Sequence, residues 1–588
     1  MRIREVEFLT GLNRKAIRLY EDKGLLTVER SDNDYREYST EDVARLRRIA
    51  VLRRAGISLG DIQLWQNRVI SGREMLSKRL AELRDAAGEA EDQVKLCNRL
   101  SDVIGQAYFD EETDTDTGWE NLPTTEEAEV EETSAIDPQC PLVLGLDIGT
   151  TTISAAVVEP VTRRTAAVYT VQNHYNLPSI HPYERCQDAD RIYGKVKRLL
   201  DFLLKRFTSV TAIGLTGQMH GILYADESGN TLTPLYTWQD GRAGDGSPSA
   251  CEVILDKTGY RLSPGYGIAT HVAETMAGRV PEDASILCTV MDYTAARLCG
   301  GVRPITHSSN AASMGLYLPS GGCFDPAALA ALRISPHLLP TVTQEADWVG
   351  YYNGIPVAVP IGDNQAGFLG AVTDYRHTVL ANFGTGSQVS LLTNDPDSVA
   401  CDPDIEVRPF LKGEYLVSGS ALCGGRAYAI AERFFRLYAA ACGLPDQRQY
   451  ETMNRLAVEG LKNGQALPIL TTFCGTRSRP WERGQISEIS EDNFTPEAII
   501  AGFLLGMAEE LYSMYARMPH GEISTLVVSG NAARLNPALP MALEQVFGMA
   551  VSIPDHREEA AVGAALFAHI AKSRRFRSDV PNTSNEYK

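Results

Sequence analysis

At 588 residues, 44% hydrophobic and 22% charged, the chain has an ordinary globular composition and is too long for one core, so roughly three to four domains are expected. No apolar run approaches the roughly 20 residues that cross a bilayer, and the opening "MRIREVEFLTG" lacks the apolar stretch of a signal peptide. These features exclude a helical membrane protein and point to a cytoplasmic one. The 11 cysteines form no C-x-x-C pair or His/Cys cluster, which argues against a disulfide framework or a zinc site. The net charge of −19 is unevenly distributed: residues 1–100 carry 20 Lys+Arg against 17 Asp+Glu, and the rest 36 against 58. A mildly basic head precedes an acidic body.

The head opens with "IREVEFLTGLNRKAIRLYEDKGLL". A short helix over Ile3 to Leu9, a turn at Gly11 and a second helix after Asn13 are expected, with Asn13 as N-cap and Gly24 as stop. Two short helices joined through Thr-Gly suggest a helix-turn-helix whose second helix carries Arg14, Lys15 and Arg18. "VERSDNDYREYS" follows with the Asn/Asp turn of a small hairpin, a wing, carrying Arg36. These cations can serve duplex phosphates or be ordinary solvated charges.

Residues 3 to 66 resemble the MerR family of transcription regulators. The matching residues are Gly11, Arg18, Tyr20-Glu21, Lys23-Gly24-Leu25-Leu26, Tyr35, Arg36, Tyr38, Asp42, Leu46, Ile49, and the tail from Leu52 through Leu59 to Ile62. The resemblance implies a winged helix-turn-helix over 1–67 that binds double-stranded promoter DNA as a homodimer. Arg14, Lys15, Arg18, Arg36 and Tyr38 are the implied contacts.

Within 68–108, Leu76, Leu80, Leu83, Ala87, Ala90, Val94 and Cys97 advance by alternating steps of four and three, the spacing of a coiled-coil seam. A dimerisation helix is expected, with an amphipathic helix packed on its own chain as the alternative. Residues 101–140 hold 13 acidic residues and no Lys or Arg. Such one-signed, weakly apolar composition reads as a disordered linker over 109–140, spanning about 30 Å as a random coil.

The body begins with "PLVLGLDIGTTTISAAVVEP", a strand, a turn and a second strand. A Gly/Thr-rich turn after Asp147 can be a plain hairpin, or can cradle phosphate while the carboxylate holds hydrated Mg²⁺. "VLANFGTGSQVSLLT" repeats the pattern around Gly384-Thr385-Gly386, without the carboxylate. "TLVVSGNAARLNP" gives strand, turn and helix around Gly530-Asn531. In "PIGDNQAGFLGA", Asp363 stands between an apolar strand (Ile355 to Ile361) and a small-residue helix, where it can cap the helix or act in catalysis.

Residues 141 to about 575 are similar to the FGGY family of carbohydrate kinases. This implies an α/β body of two ribonuclease-H-like domains of the actin and hexokinase superfamily, at 141–374 and 375–575, followed by a disordered tail at 576–588. "LTGQMHG" (Leu215 to Gly221) resembles the xylulokinase and sedoheptulokinase branch. "TWQDGR" (Thr237 to Arg242), "MDY" near 292 and "SSNAASMGLY" look most like sedoheptulokinase. The resemblance implies ATP-dependent phosphorylation of a ketose, sedoheptulose before xylulose, with ATP and Mg²⁺ as cofactors and Asp363 as general base. Asp147 would hold Mg²⁺ through water. Gly149, Thr150, Thr151, Gly384, Thr385 and Gly386 would meet the phosphates, and Gly530 and Asn531 the adenosine. Gln218, Met219, His220 and Asp240 would line the sugar site. One departure stands out, since Ser154 occupies a position where the family commonly carries Lys or Arg. It leaves open a sugar-sensing regulator whose kinase-like body turns over little or nothing.

Overall fold

The computed structural model describes residues 1, 3–10, 12–30, 36–85, 140–301, 303–384, 386–399, 402–556 and 558–578. Residues 86–108 of the expected dimer helix, the linker to residue 139, Gly11, Thr385 and the tail after 578 lie outside them. The chain forms two compact units. One comprises residues 1–136 with 169–172 and 194–208; the other comprises 137–168, 173–193 and 209–588.

In the first unit, helices Ile3–Thr10 and Arg14–Asp22 form as the caps require. Asn13 Oδ1 accepts from Ala16 N at 2.8 Å, and Gly24 takes φ +72° after the second helix, a conformation that favours glycine. Glu29–Arg30 pairs antiparallel with Arg36–Glu37 as the wing. A capping box between Ser39 and Asp42 opens helix Thr40–Arg54. Helices Leu59–Gln66 and Gly72–Asp85 follow, with Leu76 of the expected seam buried.

Buried polar pairs also tie this unit together. Lys195 Nζ lies 2.6 Å from Glu74 Oε1 and donates to the Gln172 carbonyl at 3.1 Å. Tyr169 donates its hydroxyl proton to Gln63 Oε1 at 2.9 Å, and Arg206 Nη1 donates to the Lys23 carbonyl at 2.6 Å.

The second unit is built around two six-stranded sheets of matching design. The first runs, in spatial order, Trp348–Tyr352, Ile355–Ala358, Val210–Gly217, Leu142–Ile148, Thr152–Val158 and residues 165–168. The second runs Ile405–Pro409, Tyr415–Ala421, Ser387–Thr393, Thr378–Phe383, Thr525–Ser529 and Ala550–Ser552. In each, a central strand pairs antiparallel through a tight Gly-containing hairpin on one side and parallel with a later strand on the other. Parallel neighbours need crossover helices, so both sheets are α/β layers.

The C-terminal helix Glu559–Ser578 packs on the first sheet, not the second. A Cβ on Gly145 would stand 1.9 Å from the Ala561 carbonyl oxygen, and one on Gly214 1.9 Å from that of Ala564. On its other side the helix meets Asp363–Ala371, where a Cβ on Gly563 would lie 1.7 Å from the Ala366 oxygen. Only glycines permit so close an approach. This helix thereby buttresses the element that begins at Asp363.

Candidate functional site

Asp147 sits at the end of strand Leu142–Ile148 and Asp363 is the first residue of helix Asp363–Ala371, whose N-cap is Gly362. Capping is therefore not the task of Asp363, contrary to one sequence reading: no side chain caps this helix. The turn before it is clamped instead. Gly362 N donates to Ser309 Oγ at 2.9 Å, Asn310 Nδ2 to the Pro360 carbonyl at 2.9 Å and Thr216 Oγ1 to the Ile361 carbonyl at 2.7 Å. A Cβ on Gly362 would lie 2.6 Å from Gln365 Oε1 and 2.8 Å from Met219 Cε, so any side chain there displaces the ends of both.

Both carboxylates line one cavity of about 770 Å³, with Gly149, Thr150, Thr151, Gln218, Met219 and His220. Burial pushes Asp363 up to about 6, opposed by the charge of Arg408 and a backbone hydrogen bond. Burial, with repulsion from Asp363 and Glu558, pushes Asp147 up to about 7. Asn364 Nδ2 donates to Asp363 Oδ1 at 2.9 Å. Asp147 Oδ1 is buried with no hydrogen-bond partner among the described residues, which fits a carboxylate built to face a hydrated cation.

The first hairpin is fastened from outside its own strands. Asn173 N donates to the Thr151 carbonyl at 2.7 Å and its Nδ2 to the Gly149 carbonyl at 2.8 Å. Gln187 Nε2 donates to the Thr150 carbonyl at 2.8 Å. Gln218 joins the hairpin to the sugar-side string: its Oε1 accepts from Thr150 Oγ1 at 3.3 Å, and its Nε2 donates to Gln187 Oε1 at 2.9 Å. Ser154 is buried and stands across from Asp147 in the antiparallel register.

His220 holds a left-handed backbone, φ +73°, uncommon for a residue with a side chain and a form of strain found at binding sites. Its Nδ1 lies 2.7 Å from the Ser313 carbonyl, which requires the proton on Nδ1 and leaves Nε2 as an acceptor. Burial holds the ring neutral, its pKa lowered to about 4.

Asp240 differs from its neighbours. It is buried and faces Arg242, 2.7 Å from Nε to Oδ1 and 3.0 Å from Nη2 to Oδ2, and accepts from Arg185 N at 2.9 Å. Trp238 and Gln239 of the same string line the cavity, while Asp240 braces the loop behind them.

Gly384, Gly386 and Gly530 gather at the end of the second sheet. A Cβ on Gly530, at φ +94°, would stand 2.3 Å from the Phe383 carbonyl oxygen, next to Gly384. Asn531 opens the short helix behind it. Helix Gly424–Ala441 begins against the same hairpin: Gly425 N donates to the Gly384 carbonyl at 3.1 Å. In the sequence the signal for this close backbone approach is the Gly424-Gly425 pair, two glycines that open an apolar-periodic stretch. Asn173 and Gln187, which fasten the first hairpin, carry no motif in the sequence.

In the head, Arg14, Lys15 and Arg18 are exposed; Arg14 Nε pairs with Glu7 at 2.8 Å. Arg36 is half-buried against Glu21 at 2.6 Å. Tyr38 is placed inside, 2% exposed, so it packs the wing onto the head instead of presenting its ring to a duplex.

Two matching sheets, two glycine hairpins and a buried carboxylate pair define an ATP-dependent sugar phosphotransferase with an actin-like fold. Residues 142–381 match the N-terminal domain, and 379–572 the C-terminal domain, of the FGGY family of carbohydrate kinases; the chain belongs to this family. Residues 1–68 match the MerR HTH family regulatory protein. Sedoheptulokinase from Homo sapiens is 26% identical over 472 residues, covering 72% of this chain and 97% of that protein. Glycerol kinase from Methylobacterium nodulans is 26% identical over 470 residues, covering 73% and 89%. The structure of xylulose kinase from Rhodospirillum rubrum superposes with a TM-score of 0.63 at 21% identity, covering 73% of this chain and 90% of that one. No helix among the described residues is long and apolar enough to cross a membrane.

Proposed function

We propose that the body phosphorylates the terminal C1 hydroxyl of a ketose, sedoheptulose first and xylulose next, and that the head binds double-stranded promoter DNA as a homodimer through residues 68–108. The observation that carries the kinase reading is the cavity shared by Asp147 and Asp363. A sugar hydroxyl has a pKa far above 7, so a carboxylate beside it assists attack by accepting its proton as the bond to phosphorus forms. Asp363, fixed at its helix start by the clamp from Ser309 and Asn310, takes that part. Gln218 and His220 orient the acceptor, His220 through its Nε2 lone pair.

The nucleotide phosphates are held by the backbone of the hairpin at Gly149 to Thr151 and by that at Gly384 to Gly386, with Gly530 and Asn531 beside the adenosine. Asp147 is the residue that would hold Mg²⁺, through its unpartnered Oδ1. The ion would supply charge neutralisation for the transferring phosphoryl group. Sedoheptulose ranks first because the sedoheptulokinase likeness spans 97% of that relative.

A second reading is kept by Ser154: without a cation at that position the body can bind sugar as a sensor for the DNA-binding head. Coupled measurement of ATP consumption with a panel of ketoses separates the two, since a sensor binds sugar and shows no turnover.

A further inference from the structure

Gln187 is fully buried and reaches the cavity only through its neighbours. It lies on strand Cys186–Gln187, which pairs antiparallel with Leu235–Tyr236, the strand that leads into Thr237 and Trp238 of the cavity wall. Its Nε2 donates to the Thr150 carbonyl at 2.8 Å and to Asn176 Oδ1 at 3.0 Å, and its Oε1 accepts from Gln218 Nε2 at 2.9 Å. Gln218 Oε1 in turn accepts from Thr150 Oγ1 at 3.3 Å. Thr150, Gln187 and Gln218 therefore close a ring of hydrogen bonds that joins the hairpin at Gly149 to Thr151 to the sugar-side string, and Thr150 and Gln218 both line the cavity.

The ring has one direction. A backbone carbonyl only accepts, so Gln187 must turn its amide nitrogen to Thr150 and its oxygen to Gln218. Gln218 must then present nitrogen to Gln187 and oxygen to Thr150, which makes the Thr150 hydroxyl the donor. Trp238 requires the same sense from the other side: its indole N–H, which can only donate, meets Thr150 Oγ1 at 3.0 Å. The single hydroxyl proton of Thr150 is thereby committed to Gln218, across the longest contact of the ring.

We propose that Gln187 is a positioning residue that makes nucleotide and sugar binding reinforce one another. A phosphate oxygen only accepts, so a phosphoryl group at the hairpin draws the Thr150 proton to itself and leaves Gln218 Oε1, its amide still held by Gln187, open to a hydroxyl of the sugar. A sugar hydroxyl that donates to Gln218 Oε1 first releases the Thr150 proton for phosphate. Each ligand removes a bond that the other would otherwise have to break, and by linkage the effect is equal in both directions. This inference rests on the kinase reading above and adds to it the route by which the two substrates affect each other.

The test uses the full-length protein with Mg²⁺, sedoheptulose and xylulose as sugars, and the β,γ-imido analogue of ATP, which does not transfer its phosphoryl group, as nucleotide. Calorimetry gives the sugar Kd with and without saturating analogue, and the ratio of the two is the coupling; thermal melting is the folding control. In wild type the analogue should tighten sugar binding about fivefold, the scale of one hydrogen bond. The ratio should fall to near one in Gln187→Met, which fills the space without the amide, and in Thr150→Val, and should persist in Thr150→Ser, which keeps the hydroxyl. A merely structural Gln187 would weaken sugar binding with and without analogue alike and leave the ratio at its wild-type value; that result, or a wild-type ratio of one, would overturn the proposal. Should Gln187→Met fail to fold, an unchanged ratio in Thr150→Val would do so alone. Wild type that binds neither sugar, with or without the analogue, would instead refute the underlying ketose-kinase reading and this inference with it.

Discussion

The charge of Asp363 bears on Asp147. The two line one cavity, and repulsion from Asp363 adds to burial in pushing Asp147 up to about 7, while Asp363 itself is raised to about 6. A carboxylate in an unfolded chain titrates near about 3.9. The native protein therefore holds extra protons between about pH 4 and 7, and the stability this gives is full below that window and lost as pH rises through it. In Mg²⁺-free buffer, Asp147→Asn and Asp363→Asn should raise the thermal midpoint at pH 8 and leave it nearly unchanged at pH 4. Lower midpoints for both variants at pH 8 would count against buried, strained carboxylates.

The second hairpin is supported by glycines that admit no side chain. A Cβ on Gly425 would stand 2.4 Å from the Gly384 carbonyl oxygen, and one on Gly424 2.4 Å from Gly386 carbon. Gly425→Ala should displace the hairpin and raise the KM for ATP by about tenfold, equivalent to about 1.4 kcal/mol of binding, with sugar affinity unchanged. An ATP KM equal to wild type would remove this hairpin from the nucleotide site.

Arg18 is exposed on helix Arg14–Asp22. Its replacement by Ala should weaken duplex binding across sequences and, if it meets one phosphate, lower the salt slope by about one. ATP turnover should be untouched. Equal loss of both activities would show that the two functions are not separable.

Lys195 and Glu74 form a buried pair with side chains 4% and 14% exposed. Lys195→Met leaves the carboxylate uncompensated and should cost roughly 3–5 kcal/mol in denaturant unfolding of the first unit. Adding Glu74→Gln should recover much of that loss. A single variant as stable as wild type would mean that the pair is not desolvated in solution.

The legible parts of this protein are those whose signal is contiguous. Asp147 with its Thr-rich turn, Asp363 with its flanking glycine and small-residue helix, and the string from Gln218 to His220 each carry their chemistry within a few residues. The structure brings them to one cavity. Tyr38 and Asp240 show the limit of such strings: a motif fixes residue type, but neighbours decide whether the side chain faces a ligand or, as with Asp240 against Arg242, a structural partner. Gln187 and Asn173 were illegible for a related reason. Each reaches its place through pairing and packing between segments far apart in the chain, which one-dimensional spacing does not encode. The return of helix Glu559–Ser578 to the first sheet was hidden likewise, its only trace being glycines at Gly145, Gly214 and Gly563 whose purpose is close approach.

The most direct measurement is ATP consumption by the purified full-length protein with Mg²⁺ against sedoheptulose, xylulose, ribulose, glycerol and fructose, with Asp363→Ala beside it. Turnover that is highest on sedoheptulose and falls by about a hundredfold or more in Asp363→Ala is the expected result. Binding of a ketose without turnover on any sugar would contradict the kinase role and leave the body a sensor for its MerR-type head.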